Sequence, residues 1–302
     1  CPRQWRIRRP SGPRDATREE AASKASSQGS RHGCHQLTAR TCPWEVSKLP
    51  DSPGRHRVVI VGAGFAGYNA ARELSKLAGT SIEITVINST DYFLYLPLLP
   101  QVAAGLVEPR HICVSLLRRL PKVRFVLGTV TYIDVRQKVV TWSSPEGGSG
   151  QAGYDRLILT AGSVNKLLPI PGVADYAHGF RSVAEAIYLR DHIIRQLELA
   201  AGAADEAERQ ARCTFVVVGA GYTGTEVAAQ GQLFTARLAK QMPGLAGGQI
   251  RWMLLDNASP LLPELDPRLS RAADRVLLRR GVEVRTSQSV AAALDGCWVQ
   301  LS

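Results

Sequence analysis

Twice in this chain a short β-branched run leads into a glycine turn and then into a helix-forming stretch. The first copy is Val58-Val59-Ile60-Val61-Gly62-Ala63-Gly64-Phe65-Ala66-Gly67, and the second is Phe215-Val216-Val217-Val218-Gly219-Ala220-Gly221-Tyr222-Thr223-Gly224. In such a turn the first glycine permits the tight reversal and the second lets backbone approach a pyrophosphate. The third lets helix pack on strand. The helix that follows offers unpaired N–H groups and a partial positive charge to the phosphates. One copy is a modest signal. Two copies in one chain imply two dinucleotides and point to electron transfer between them.

The rest of the composition narrows the class by exclusion. A chain of 302 residues with 45% hydrophobic and 21% charged residues has enough apolar side chain for two domains. Its net charge of +11 is unevenly placed. Residues 1–57 hold 12 Lys/Arg against 5 Asp/Glu, and residues 58–302 hold 25 against 21. The folded part is therefore only mildly basic. Arginine outnumbers lysine by 30 to 7, a bias that coding composition alone produces, so no nucleic-acid partner is expected. Six cysteines at 1, 34, 42, 113, 213 and 297 have no framework spacing, which reads as a reduced, cytoplasmic setting. His32, Cys34, His35 and Cys42 lie in a polar stretch without a flanking core, so no metal site is expected. No apolar run is long enough to span a membrane, and no secretory hydrophobic region is present.

Periodicity then divides the chain. Residues 1–55, rich in Arg, Ser, Gly and Pro, are expected to be a disordered basic tail. Residues 56–167 read as a first dinucleotide domain and 168–302 as a second, with the proline-punctuated stretch 168–172 as hinge. In the first, strands are expected at 58–61, 82–87, 123–127, 129–134, 138–142 and 154–160, with a helix over 65–77. In the second, Ser182 with Glu185 forms a capping-box pattern ahead of a helix to about residue 196. Strands at 214–218, 251–256 and 282–285 alternate with helices over 224–240 and 265–280. The fold class expected is α/β with two Rossmann-like units.

A ribose ligand belongs at the end of the second strand of each unit. In the second unit that residue is Asp256, whose carboxylate would accept from ribose hydroxyls and repel a 2′-phosphate, favouring NADH over NADPH. In the first unit it is Asn88, for which a ribose ligand and a strand-end turn residue are equally good readings. Glu226 falls two residues after Gly224, on what the pattern makes the first turn of the second fingerprint helix. Either the helix dipole explains it, or it faces a junction between the two cofactors. No Cys-x-x-Cys follows the first fingerprint, so the dithiol of a disulfide reductase is lacking, and Cys113 alone reads as a small buried hydrophobe.

Three further stretches carry a resemblance. These are Asp91-Tyr92-Phe93-Leu94-Tyr95-Leu96-Pro97-Leu98-Leu99-Pro100-Gln101-Val102-Ala103-Ala104-Gly105, then Tyr154-Asp155-Arg156-Leu157-Ile158-Leu159-Thr160-Ala161-Gly162-Ser163, and Gly219 to Glu226 with Leu261-Leu262-Pro263-Glu264-Leu265-Asp266. With the glycines they resemble the pyridine-nucleotide oxidoreductase fold, and within it the type II NADH:quinone oxidoreductases. The resemblance implies FAD at Gly62, Ala63, Gly64, Phe65, Ala66, Gly67, Asn88, Ala161 and Gly162. It implies NADH at Gly219, Gly221, Gly224 and Asp256, with Glu226 near the flavin–nicotinamide junction, and a quinone as acceptor. It leaves room for a homodimer, and for attachment to the cytoplasmic face of the membrane in a full-length relative. In that family the chain returns to the FAD domain through a later Gly-Asp motif and adds membrane-binding helices, so the present chain is expected to be truncated at its C-terminus. A dinucleotide-binding fragment without turnover and a soluble ferredoxin or rubredoxin reductase remain as rival readings.

Overall fold

A computed structural model describes residues 47–48, 54–77, 79, 81–165, 169–242, 244–245, 250–294 and 298–301. The expected tail, its cysteines and histidines, Leu168 and Cys297 fall outside the described residues, apart from a two-residue strand Ser47–Lys48 and residues 54–55.

The first unit is built on a four-stranded parallel sheet, in the order Arg156–Leu159, His56–Val61, Ile82–Asn88, Arg124–Leu127. The β-branched run is central because it must be buried on both faces. Val58 and Ile60 point to one side, where the helix Phe65–Leu77 supplies buried Ala71. Val59 and Val61 point to the other, against Val140, Trp142, Ala152 and Tyr154. The first three of these belong to an antiparallel meander, Thr129–Asp134, Val139–Ser143 and Ser149–Gly153, laid over the sheet, and Tyr154 follows its last strand. The strand Ser149–Gly153 carries no apolar alternation and was not expected. It forms because Gly150 lets the Trp142 indole lie against its backbone, where a Cβ would collide.

The second unit has three parallel strands, Thr214–Val218, Arg251–Leu255 and Val282–Arg285. Its fingerprint helix spans Tyr222–Ala239, and a second helix spans Pro267–Arg279. Helix Val183–Ala201 starts from the expected capping box: Ser182 Oγ accepts from Glu185 N, and the Glu185 carboxylate accepts from Ser182 N at 2.7 Å. A hairpin, Val290–Leu294 with Trp298–Leu301, and a helix Glu206–Arg212 were not expected.

Among the described residues no strand pairing joins the two sheets. What links the units is the segment after the second strand. Tyr92–Leu94 pairs with Cys113–Ser115, and the short helix Leu99–Ala103 buries Leu99, Val102 and Ala103 with Ile112 and Ala186. Ala186, with Phe180, Val183 and Leu189 around it, belongs to the second unit's side of the chain.

Candidate functional site

Both glycine turns stand at the carboxyl ends of their sheets, the position where open α/β sheets take ligands. In the first, Gly62 has φ 91° and its N–H donates to Ile87 O at 2.8 Å. A Cβ on Gly62 would strike the Thr160 carbonyl, and one on Gly67 would strike the Gly62 carbonyl. In the second, Gly219 has φ 104°, and a Cβ on Gly224 would strike the Gly219 carbonyl. The middle glycines differ in kind. A Cβ on Gly64 or Gly221 would meet no atom within 4 Å, and neither residue has a positive φ. Nothing in the chain itself requires glycine there, whereas a group pressed against the backbone from outside would.

The two strand-end residues make the same contact. Asn88 Oδ1 accepts from Ala63 N at 2.8 Å, and Asp256 Oδ2 accepts from Ala220 N at 2.5 Å. Each therefore braces the middle of its own G-A-G turn. Asn88 spends its amide hydrogens on Thr90 O and Thr90 Oγ1, at 2.8 and 3.1 Å. Asp256 uses its second oxygen on Ala258 N at 2.7 Å, and a carboxylate with one partner per oxygen can still accept from outside. Asn88 thus acts as a strand-end turn residue, and its amide has no donor left to offer.

Phe65 and Ala66 open the first fingerprint helix, and Phe65 is 45% exposed. Its ring meets Phe93 edge-on at 5.0 Å and Tyr95 at 5.7 Å, while Tyr68 stacks on Phe93. These rings fasten the segment 91–105 beside the turn. Ala161 and Gly162 (φ 74°) adjoin the same turn through Thr160, which sequence reasoning passed over. The Thr160 hydroxyl donates to both Val61 O and Gly62 O at 2.9 Å, tying the edge strand to the fingerprint. A Thr closing an apolar strand beside a Gly turn was the available signal.

One expectation is corrected. Glu226 does not lie on the first turn of its helix, because the helix starts at Tyr222 and its first turn has no acid. The dipole reading loses its ground, since that effect fades beyond the terminal turn. Glu226 instead lines a cleft of about 300 Å³ with Ala229, Ala272, Ala273, Val276 and Arg280. Partial burial pushes its carboxyl above the ordinary range. That cleft is lined by residues of the second unit. Cys113 is half-buried and Cys213 fully buried, with burial pushing both thiols up, as suits structural cysteines. Among the described residues no group of three metal-ligating side chains occurs.

The sheets also leave apolar residues uncovered where a ligand would lie. Leu159 is 62% and Val218 57% exposed, each the last residue of its strand. The second fingerprint helix has Gly221 as its N-cap, without a side-chain cap, so its first N–H groups remain available.

The family model described as pyridine nucleotide-disulphide oxidoreductase matches residues 56–297. The chain belongs to this family. It is 39% identical over 243 residues to the type II NADH:quinone oxidoreductase NdhA of Mycobacterium tuberculosis, covering 79% of this chain and 51% of that protein. It is 30% identical to the external alternative NAD(P)H-ubiquinone oxidoreductase B3 of Arabidopsis thaliana, covering 80% and 43%. NDH2 from Plasmodium falciparum in complex with NADH shares the fold, with a TM-score of 0.74 at 22% identity over 80% of this chain and 50% of that one. The chain spans about half the length of the curated relatives it matches.

Proposed function

We propose that the chain is the two-dinucleotide part of a flavoprotein that oxidises NADH through FAD and delivers the electrons to a quinone. The observation that carries this is the paired turn, braced in the same way at Ala63 and Ala220 with an open middle glycine in each. Gly62, Ala63, Gly64, Phe65, Ala66, Gly67, Ala161 and Gly162 would hold FAD. Gly219, Gly221, Gly224 and Asp256 would hold NADH. Asn88 then acts chiefly as the brace of the FAD turn.

When bound, FAD supplies the two-electron acceptor for a hydride and passes the electrons onward. The chain's own residues bind and orient. Backbone N–H groups at the starts of Phe65–Leu77 and Tyr222–Ala239 would hold the phosphates, and the Asp256 carboxylate would accept from ribose hydroxyls while repelling a 2′-phosphate. Leu159 and Val218, exposed at the strand ends, would be covered by the bound cofactors. Glu226, with its raised pKa, holds a proton more readily than a free carboxyl and is the candidate acid–base residue of the second unit. The domain limits 56–167 and 168–302 go with this reading. So do a cytoplasmic location or one at the cytoplasmic membrane face, and a homodimer as the assembly to test. No described helix is long and apolar enough to cross a membrane.

The rival reading is dinucleotide binding without turnover. One experiment separates the two. The 302-residue chain is purified with excess FAD, then assayed for retained flavin, anaerobic bleaching by NADH and quinone-dependent NADH oxidation. Bleaching with quinone turnover is the expected result. Retained flavin that NADH leaves oxidised sinks the enzyme reading for this chain.

A further inference from the structure

The units meet a second time where the chain leaves the first sheet. The residues from Ala161 to Asn165 follow the edge strand Arg156–Leu159 and are all exposed, Val164 to 87%. Burial therefore does little to hold this stretch, and Gly162, at φ 74°, adds the conformational freedom of a glycine. Hydrogen bonds hold it from both sides instead. Upstream, the Thr160 hydroxyl donates to Val61 O and Gly62 O of the fingerprint turn. Downstream, the Arg181 guanidinium donates from Nη2 to Ser163 Oγ at 2.7 Å.

Arg181 is itself fixed by the second unit. Its backbone N–H donates to Glu185 Oε2 at 2.8 Å, and the same oxygen accepts from Ser182 N at 2.7 Å and from Ser182 Oγ at 2.9 Å. Gly179 packs against this group, where a Cβ would strike both Glu185 Oε1 and Asn165 Nδ2. The capping box that starts helix Val183–Ala201 thus also locks the arginine that reaches across to the first unit. Ser182 and Glu185 complete that box by themselves, so the bond to Ser163 adds nothing to the cap.

We propose that Arg181 is a positioning residue of the flavin site, acting through Ser163 to hold the Ala161–Gly162 turn in the conformation that receives FAD. This rests on the reading of that turn as part of the FAD site. An exposed glycine turn ordered in advance spares the cofactor the entropic cost of ordering it on binding.

The test is titration of the 302-residue chain with FAD, followed by quenching of flavin fluorescence, with thermal unfolding measured alongside. Arg181→Met keeps the aliphatic stem and removes every donor, and Ser163→Ala removes the acceptor. Each is expected to weaken FAD binding about tenfold, the worth of one charge-assisted hydrogen bond. The double variant should lose no more, because both changes remove the same bond. Arg181→Lys, which retains a donor, should recover most of the affinity. A merely structural tie would lower Tm in the variants and leave the FAD dissociation constant unchanged, and that result overturns the proposal. So does a loss in Arg181→Met that Ser163→Ala does not share. A wild-type chain that binds no FAD overturns the redox reading and the proposal together, which tells the two failures apart.

Discussion

The two glycine turns share sequence, position and brace, yet they are held by different forces. The first turn is internal to its sheet, with Arg156–Leu159 on one side and Ile82–Asn88 on the other. Thr160 therefore presses its carbonyl against Gly62 and hydrogen-bonds the turn with its hydroxyl. The second turn follows an edge strand, and a Cβ on Gly219 would meet no atom within 4 Å. At Gly62 packing adds to backbone conformation; at Gly219 backbone conformation acts alone. The first glycine of one motif can be sterically locked in one half of a molecule and free of steric contact in the other.

The sharpest break of that comparison is Gly62→Ala against Gly219→Ala. Both force a side chain into positive φ, a cost of about 2 kcal/mol. Gly62→Ala adds a collision with backbone and should lose about 4 kcal/mol in total. Urea unfolding measures both. Equal losses would mean that Thr160 yields and the first turn is not locked by packing.

Much of this was legible in advance, and the limits have physical causes. The fingerprints, the helix Phe65–Leu77 and the strands Thr129–Asp134, Thr214–Val218 and Val282–Arg285 matched because local pattern and tertiary burial agree there. Ser149–Gly153 escaped because its strand conformation comes from Trp142 across the meander, not from its own residues. Asn88 and Asp256 were found as strand-end residues, but their long-range partners at Ala63 and Ala220 have no local signature. Glu226 was misplaced on its helix because the helix starts at Tyr222, before the third glycine.

The braces offer the next contrast. They differ by a single atom type, and neither should accept the other's residue. Asn88→Asp turns donation to Thr90 into oxygen–oxygen repulsion, and Asp256→Asn points an N–H at either Ala220 N or Ala258 N. Each should cost about 2 kcal/mol. Asp256→Asn should also narrow the preference for NADH over NADPH by about tenfold, since a charge facing the 2′-phosphate is gone. Unchanged cofactor discrimination with reduced stability would leave Asp256 a brace and nothing more.

The middle glycines should separate stability from binding. Gly64→Ala and Gly221→Ala add a methyl to open space and should stay within about 0.5 kcal/mol of wild type. Gly64→Ala should still lower flavin retention about tenfold, and Gly221→Ala NADH affinity by about as much, because the methyl occupies the approach to backbone. Titration of each cofactor checks this. Normal binding by both variants would remove the argument that an outside group demands these glycines.

The smallest difference lies at the opposite ends of the two sheets, where a carboxylate clasps neighbouring strands. Asp155 accepts from Arg57 N at 2.7 Å and from the Arg57 guanidinium at 3.4 Å, with His56 at 3.9 Å. The Arg57 N–H, then its guanidinium, holds the Asp155 carboxyl below its ordinary range. In the second unit Glu283 bridges Arg251 at 3.0 Å and Arg285 at 2.8 Å. There burial works upward, but the two arginines outweigh it and the carboxyl is again lowered. A depressed folded pKa gives stability that is present above the unfolded value near pH 4 and lost as pH falls through the folded one. Asp155→Asn and Glu283→Gln should therefore each flatten the acid limb of a Tm-against-pH curve and leave its neutral limb nearly flat. High salt should erase the difference for Glu283, whose partners are both charged side chains. It should preserve the difference for Asp155, whose main partner is a backbone N–H. A salt response of equal size at both sites would mean that the two clasps are the same electrostatic device.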